Sequence, residues 1–304
     1  MKEKFFFIDA RVARKLLNQI SNMKPSKNGS DSSVYLFDEY AVLTTSRIKR
    51  RNVTISDDDL AYLDELIRTL YEIAGDRKTI IPILGYCYDP ASTEGDGYIF
   101  QPRAKGAELW DDTILMSDSD HVQFEKTKLN RERLPDEVRA NYLLSRTEVL
   151  ANAPQEHYNQ FIADIITLTD HDILIDSMTK ENFFYDEKVG FQFVDLDAHN
   201  DYKYGLDKEK PDGKWLASKI GFMPCPFIAR CYTLDPLILA QINQQEKQKL
   251  IADNRAIFEK VKRACIENDI PQKYIDNIPK PSKFPVELSI WGRGGRMMSG
   301  PRHD

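Results

Sequence analysis

The apolar residues of this chain follow two different periods, and the changeover falls at "FQPRAKG", Phe100 to Gly106. Before it, "VYLFDEYAVLTT" reads as a hairpin, with strands at Val34 to Phe37 and Tyr40 to Thr44 around Asp38-Glu39. "TIIPILGYCY" and "GYIFQ" read as two further strands separated by "DPASTEGD". Between these pairs, "SDDDLAYLDELIRTLYEIAG" has the marks of a helix. Ser56 suits the N-cap, Asp57 to Asp59 suit the positive end of the dipole, and Gly75 suits the stop. Leu60, Leu63, Ile67, Leu70 and Ile73 form its apolar face. An earlier helix is expected over residues 9–22, from Val12, Leu16, Leu17 and Ile20, followed by a flexible polar segment from Lys24 to Ser33.

Beyond the changeover the period is helical. "RLPDEVRANYLLSRTEVLAN" and "PQEHYNQFIADIITLTD" are both strongly periodic, the second through Tyr158, Phe161, Ile162, Ile165 and Ile166. Residues 235–269 read as one or two more helices, and the Pro- and Gly-rich tail as extended and partly mobile. A β-rich first third and a helical remainder predict an α+β chain of two lobes. The expected divisions are residues 1–101 for a small antiparallel sheet with its helices, 102–285 for a link and a mostly helical lobe, and 286–304 for the tail.

Composition removes several function classes. With 304 residues, 41% hydrophobic and 30% charged, the chain has the makings of a globular core. Its net charge of −6 gives no support to nucleic-acid binding, and "RIKRR" at Arg47 to Arg51 reads as a solvated run. None of Cys87, Cys225, Cys231 and Cys265 forms a CxxC pair, which argues against structural zinc and for a reducing compartment. The N-terminal apolar run, Phe5 to Ile8, is shorter than the roughly 7 residues of a signal-peptide core. No run nears the roughly 18 apolar residues of a membrane span, so a cytoplasmic location is expected.

The chemistry concentrates in "ILIDSMTKENFFYDEKVGFQFVDLDAH", Ile173 to His199. Two apolar runs, Phe183 to Tyr185 and Phe191 to Val194, flank the polar turn Asp186 to Gly190. If they pair, Asn182 and Asp195 meet at the open end, where directly paired residues hold their Cβ atoms about 5 Å apart. An amide oxygen and a carboxylate that close can share Mg²⁺ at about 2.1 Å. Asp176, on the incoming loop, is placed to orient a hydroxyl and accept its proton.

That set, Asp176, then Asn182, then a short hairpin, then Asp195, resembles the catalytic core of the protein-kinase-like superfamily, which includes the aminoglycoside phosphotransferases. The resemblance implies a bilobal kinase-like fold, ATP and Mg²⁺ as cofactors, and phosphoryl transfer to a hydroxyl. It implies Asp176 as base and Asn182 and Asp195 as metal ligands. Asp197 supplies a second acid, closer to the small-molecule branch than to the Asp-Phe-Gly of protein kinases. "NGSDSSVY" then resembles a phosphate-covering loop, with Gly29, Ser30, Ser32 and Ser33 offering N–H groups and hydroxyls. Glu65 becomes the ion-pairing acid of the small-lobe helix, Gln101 the residue before the hinge, and Pro102 C=O with Ala104 N–H the adenine contacts. The resemblance covers roughly residues 28–200.

Two positions depart from the pattern. Thr44 stands where a phosphate-holding Lys is expected, leaving Arg47 or Lys49 to reach in. Leu174 stands where His is common, and Asp176 precedes Asn182 by six positions instead of five. The reading is therefore an ATP- and Mg²⁺-dependent phosphotransferase with a small-molecule or protein acceptor, and neither nucleic acid nor membrane as partner. The alternatives are a pseudokinase serving as a binding module, and AMP transfer from the same cleft. Asp111, Asp112, Asp118 and Asp120 would suit a cationic acceptor, although a solvated acidic face is the better account of them.

Overall fold

A computed structural model of the chain describes residues 2–28, 33–44, 57–88, 97–108, 135–171, 173–175, 183–194, 196–198, 240–276 and 278. The fold is mixed α+β and divides into two compact units. The first comprises Met1–Ala107, Asp170–Ile175 and Phe184–Leu206; the second comprises Glu108–Thr169, Asp176–Phe183 and Asp207–Asp304. The first unit thus runs past the expected boundary at 101 and gathers two later segments of chain.

The first unit is built on strands β1 (Lys2–Phe5), β2 (Lys27–Asn28), β3 (Ser33–Leu36), β4 (Tyr40–Thr44), β5 (Gly85–Tyr88) and β6 (Gly97–Pro102). They form one antiparallel sheet in the order β1-β5-β6-β4-β3-β2. Two helices cover it, α1 (Ala10–Ile20) and α2 (Asp57–Ala74). Asp9 caps α1 by accepting from Arg11 N–H at 2.8 Å and Val12 N–H at 3.3 Å, and these donors hold its carboxyl below the usual range. Ala13, Leu16 and Ile20 bury against Val42, Leu84, Cys87 and Phe100. On α2, Leu60, Ile67 and Leu70 are buried as the periodicity predicts, Leu63 and Ile73 are half-buried, and Leu66 is buried although outside the predicted face. Gly75 ends the helix at φ +46° with its N–H on Tyr71 O. Each fully buried Leu or Ile contributes about 1.5–3 kcal/mol.

Strand partners share a face, which separates the two helices. Tyr86 and its partner Lys4 both reach Asp64 on α2, whereas Cys87, Phe100 and Val42 meet α1. The helices therefore lie on opposite faces of the sheet.

Several expectations are corrected here. The polar segment Lys24 to Ser33 contains β2, whose Lys27 pairs with Val34. "TIIPILGYCY" is not one strand: Pro82 has no N–H to give a ladder, and only Gly85–Tyr88 joins the sheet, with Ile80 forming a single parallel bridge to Phe193. The edge strand β1 carries no alternation that would announce it. Ser56, the expected cap of α2, lies outside the described residues.

A short sheet is ordered β10-β9-β7, from β7 (Ala107–Glu108), β9 (Phe183–Asp186) and β10 (Gly190–Phe193), and β8 (Ile173–Ile175) forms a two-stranded pair with β11 (Leu196–Ala198).

The second unit contains α3 (Asp136–Asn152), α4 (Gln155–Asp170), α5 (Gln244–Glu267) and α6 (Gln272–Ile275). Within the run expected at 235–269, α5 starts at a capping box of Asn243 and Glu246, residues 240–241 before it are helical as well, and residues 235–239 lie outside the described residues. Tyr158, Phe161, Ile162 and Ile165 are fully buried on α4, while Ile166 is only half-buried. Lys260 on α5 donates to Ala151 O at 2.7 Å and Ala153 O at 2.5 Å, closing the end of α3, and burial pulls its ammonium below the usual range. Among the described residues, no helix is long and apolar enough to cross a membrane.

Candidate active site

The hairpin that concentrates the chemistry forms, with β9 and β10 each shifted slightly from the expected bounds. Asp186 Oδ1 accepts from Lys188 N–H at 2.9 Å and Val189 N–H at 3.0 Å, an Asx turn that sets the reversal. Phe183, Tyr185, Phe191 and Phe193 are buried. The Tyr185 and Phe191 rings lie 5.0 Å apart, and burial, reinforced by Glu187 and Asp186, pushes the Tyr185 phenol up to about 12.

Three sets of contacts tie this hairpin to the large sheet. Phe193 N–H donates to Thr79 O at 2.9 Å, and Ile81 N–H donates to Phe193 O at 3.1 Å. Gln192 is buried; its Oε1 accepts from Lys105 N–H at 2.5 Å and its Nε2 donates to Lys78 O at 2.7 Å. Gly106, at φ +77°, lies so close to the backbone of Tyr185 that a Cβ there would sit 2.6 Å from Tyr185 C and 2.8 Å from Asp186 Cα. The chain leaving β6 is therefore held directly against β9.

Next to the hairpin in sequence, β8 and β11 pair Ile175 with Leu196, Leu174 with Asp197 and Ile173 with Ala198. Asp176 is bonded to Ile175, Asp195 to Leu196 and Asn182 to Phe183. Asp176, Asn182 and Asp195 themselves lie outside the described residues; Asp197 is described by its backbone alone, opposite Leu174. Leu174, the departure from the expected His, lies in strand β8 opposite Asp197.

The predicted nucleotide contacts separate into three groups. Gly29, Ser30, Ser32 and Arg47, with Lys49, lie outside the described residues. Gln101 is buried opposite Ala41, Pro102 pairs with Tyr40, and Ala104 is half-buried. Arg103 N–H donates to Glu39 O at 2.9 Å and its guanidinium to Phe37 O at 3.1 Å, which fixes this link to the β3–β4 turn.

The third group is rearranged. Thr44 lies on the α1 face beside Tyr98, because it alternates with Leu43 along the strand. Its hydroxyl accepts from Ser33 N–H at 2.8 Å, so Thr44 and Ser33 together secure the foot of the loop joining β2 and β3. The residues of β4 that face α2 are Ala41 and Leu43. Glu65 is exposed; the acid that α2 buries is Asp64, which accepts from Tyr86 O–H at 2.9 Å and pairs with Lys4 of β1. Burial, with Asp64 beside it, raises the Tyr86 phenol well above its ordinary range. A helix turn of about 100° per residue puts Asp64 with Leu60 and Ile67 and turns Glu65 outward. The ion pair described on α2 is thus Asp64 with Lys4, and Glu65 takes no part in it.

The sequence carried signals for both missed residues. Asp64 sits in the apolar stripe of its helix, where a carboxylate needs a partner. Gln192 sits inside "FQFV", where a buried amide must find both a donor and an acceptor.

Among the described residues no three His, Cys, Asp or Glu cluster as a metal site. Compared with known proteins, the chain matches no family model and no curated sequence.

Proposed function

We propose that this protein is a nucleotide-dependent phosphotransferase of kinase-like, bilobal architecture, acting on a hydroxyl group. The observation that carries the reading is the antiparallel pairing of Ile175 with Leu196 beside the β9–β10 hairpin. The residues bonded to the ends of these strands are Asp176, Asn182 and Asp195. The order of elements in the first unit, hairpin, helix and two strands, followed by a fixed link at Pro102–Ala104, agrees with the same reading.

In this scheme Pro102 C=O and Ala104 N–H hold adenine, and the loop whose foot Thr44 and Ser33 secure covers the phosphates. Asn182 and Asp195, with Asp197 close by, would hold Mg²⁺, which supplies charge neutralisation for the transferring phosphoryl group. Asn182 offers a neutral oxygen and Asp195 a charged one, a donor set that suits a hard cation. Asp176 orients the acceptor hydroxyl and takes its proton. The test is ATP turnover by the purified chain. It should require Mg²⁺, vanish in Asp195→Ala and fall strongly in Asp176→Ala. Wild-type turnover in Asp195→Ala rejects the metal assignment.

One observation favours a second reading, that of a pseudokinase serving as a binding module. The α2-facing residues of β4 are Ala41 and Leu43, and the cation paired with α2 is Lys4 of the edge strand β1. Under this reading nucleotide produces no thermal shift and no transfer. A melting temperature raised by ATP only when Mg²⁺ is present decides for the phosphotransferase.

A further inference from the structure

Gln192 is 2% exposed in a strand whose every residue is buried, yet neither end of its amide is left over. Its acceptor end takes the N–H of Lys105, the residue after the Pro102–Ala104 link. Its donor end gives to Lys78 O, immediately before the Thr79–Ile81 stretch that clasps Phe193. An amide can accept on one side and donate on the other across such a span. Gly106 adds a second restraint on the same link, through its contact with the Tyr185 backbone.

We propose that Gln192 is a positioning residue that sets the spacing between the two ends of a bound nucleotide. In that reading the base end is the backbone at Pro102–Ala104, and the phosphate end follows Phe193 and Val194 in the sequence. The inference rests on the nucleotide-binding reading above and goes beyond it by naming the coupling between the subsites. A buried amide that only stabilised the fold would weaken all ligands alike. A spacer makes the base and the phosphates bind cooperatively, so its loss lowers the advantage of MgATP over adenosine.

The experiment measures calorimetric affinities of the full chain for adenosine and for MgATP. In Gln192→Met, which keeps the volume and loses both hydrogen bonds, adenosine affinity should stay within about twofold while the MgATP advantage falls about tenfold. Gln192→Glu adds a pH readout. The protonated carboxyl has one acceptor and one donor and reproduces the amide, whereas the ionised form has no donor for Lys78 O. Its MgATP advantage, taken relative to wild type at the same pH, should be near normal at about pH 6 and lost at about pH 8.5, since burial favours the neutral acid.

An unchanged advantage in both variants overturns the proposal while leaving nucleotide binding intact. Absence of MgATP binding by wild type overturns the nucleotide reading and this proposal together. If neither variant folds, hydrogen exchange on the wild type decides: MgATP should protect the Lys105 amide more than adenosine does, and equal protection overturns the proposal.

Discussion

Three glycines of the first unit allow backbone conformation and steric contact to be weighed separately. Gly75 has φ +46°, but a Cβ there would meet nothing nearer than Glu72 O at 3.6 Å. Gly85 has an ordinary φ, but a Cβ would lie 2.7 Å from Lys4 O and 3.0 Å from Phe5 Cα, both backbone atoms of the neighbouring strand. Gly106 has both problems, φ +77° and a Cβ driven into the Tyr185 backbone. Gly75→Ala should then cost only the left-handed backbone penalty, about 1 kcal/mol. Gly85→Ala should cost what overpacking costs, about 1–3 kcal/mol, because β1 must move. Gly106→Ala should cost about the sum, on the order of 3 kcal/mol, and should detach the link from β9. Urea unfolding followed by circular dichroism, compared at equal slope, measures all three. If Gly106→Ala is no more destabilising than Gly75→Ala, the close approach of link and hairpin is refuted.

The other predictions concern single side chains. Lys260→Met should lose about 1–2 kcal/mol by leaving Ala151 O and Ala153 O without their donor, measured by the same unfolding curves. Asp64→Asn should bring the Tyr86 phenol back towards its ordinary range, though burial keeps it raised, and should loosen β1; an absorbance titration of the phenols reads the first effect. Cys265 is fully buried, which pushes its thiol up to about 12, so it and buried Cys87 should resist alkylation in the native protein and react on unfolding. Because the folded thiol titrates higher than the unfolded one, its contribution to stability is complete below the unfolded value of about 8.5 and is lost as pH rises towards about 12. A melting temperature that climbs across that alkaline range contradicts it.

The long periodic elements were legible in the sequence. Helix α2 declares itself through Leu60, Ile67 and Leu70 and a stop at Gly75, and the β9–β10 hairpin through its aromatic residues on either side of Asp186–Gly190. Strands β8 and β11 have three residues each, too few for any period, and their pairing joins residues far apart in sequence. The facing of side chains was legible only as parity. Counting from the sequence nominated Thr44 and Glu65, and a shift of one position in each case gives the residues on the shared side, Leu43 and Asp64. The chemical types at the candidate site, an amide and two acids bracketing a hairpin, could be read directly. The amide bridge of Gln192 could not, because its partners, Lys78 and Lys105, lie 114 and 87 positions away.

The stitching of residues 183–193 onto a sheet whose strands are complete by Pro102 bears on how this protein is made. A nascent chain emerging from the ribosome can assemble all six strands and then must wait for distant sequence before Lys105 N–H and Lys78 O find their partner. A gene truncated after Ala107 would express a half-finished product with those groups bare, prone to sticking to its neighbours. A truncation that keeps residues through Ala198 would supply Gln192, the partner of both groups.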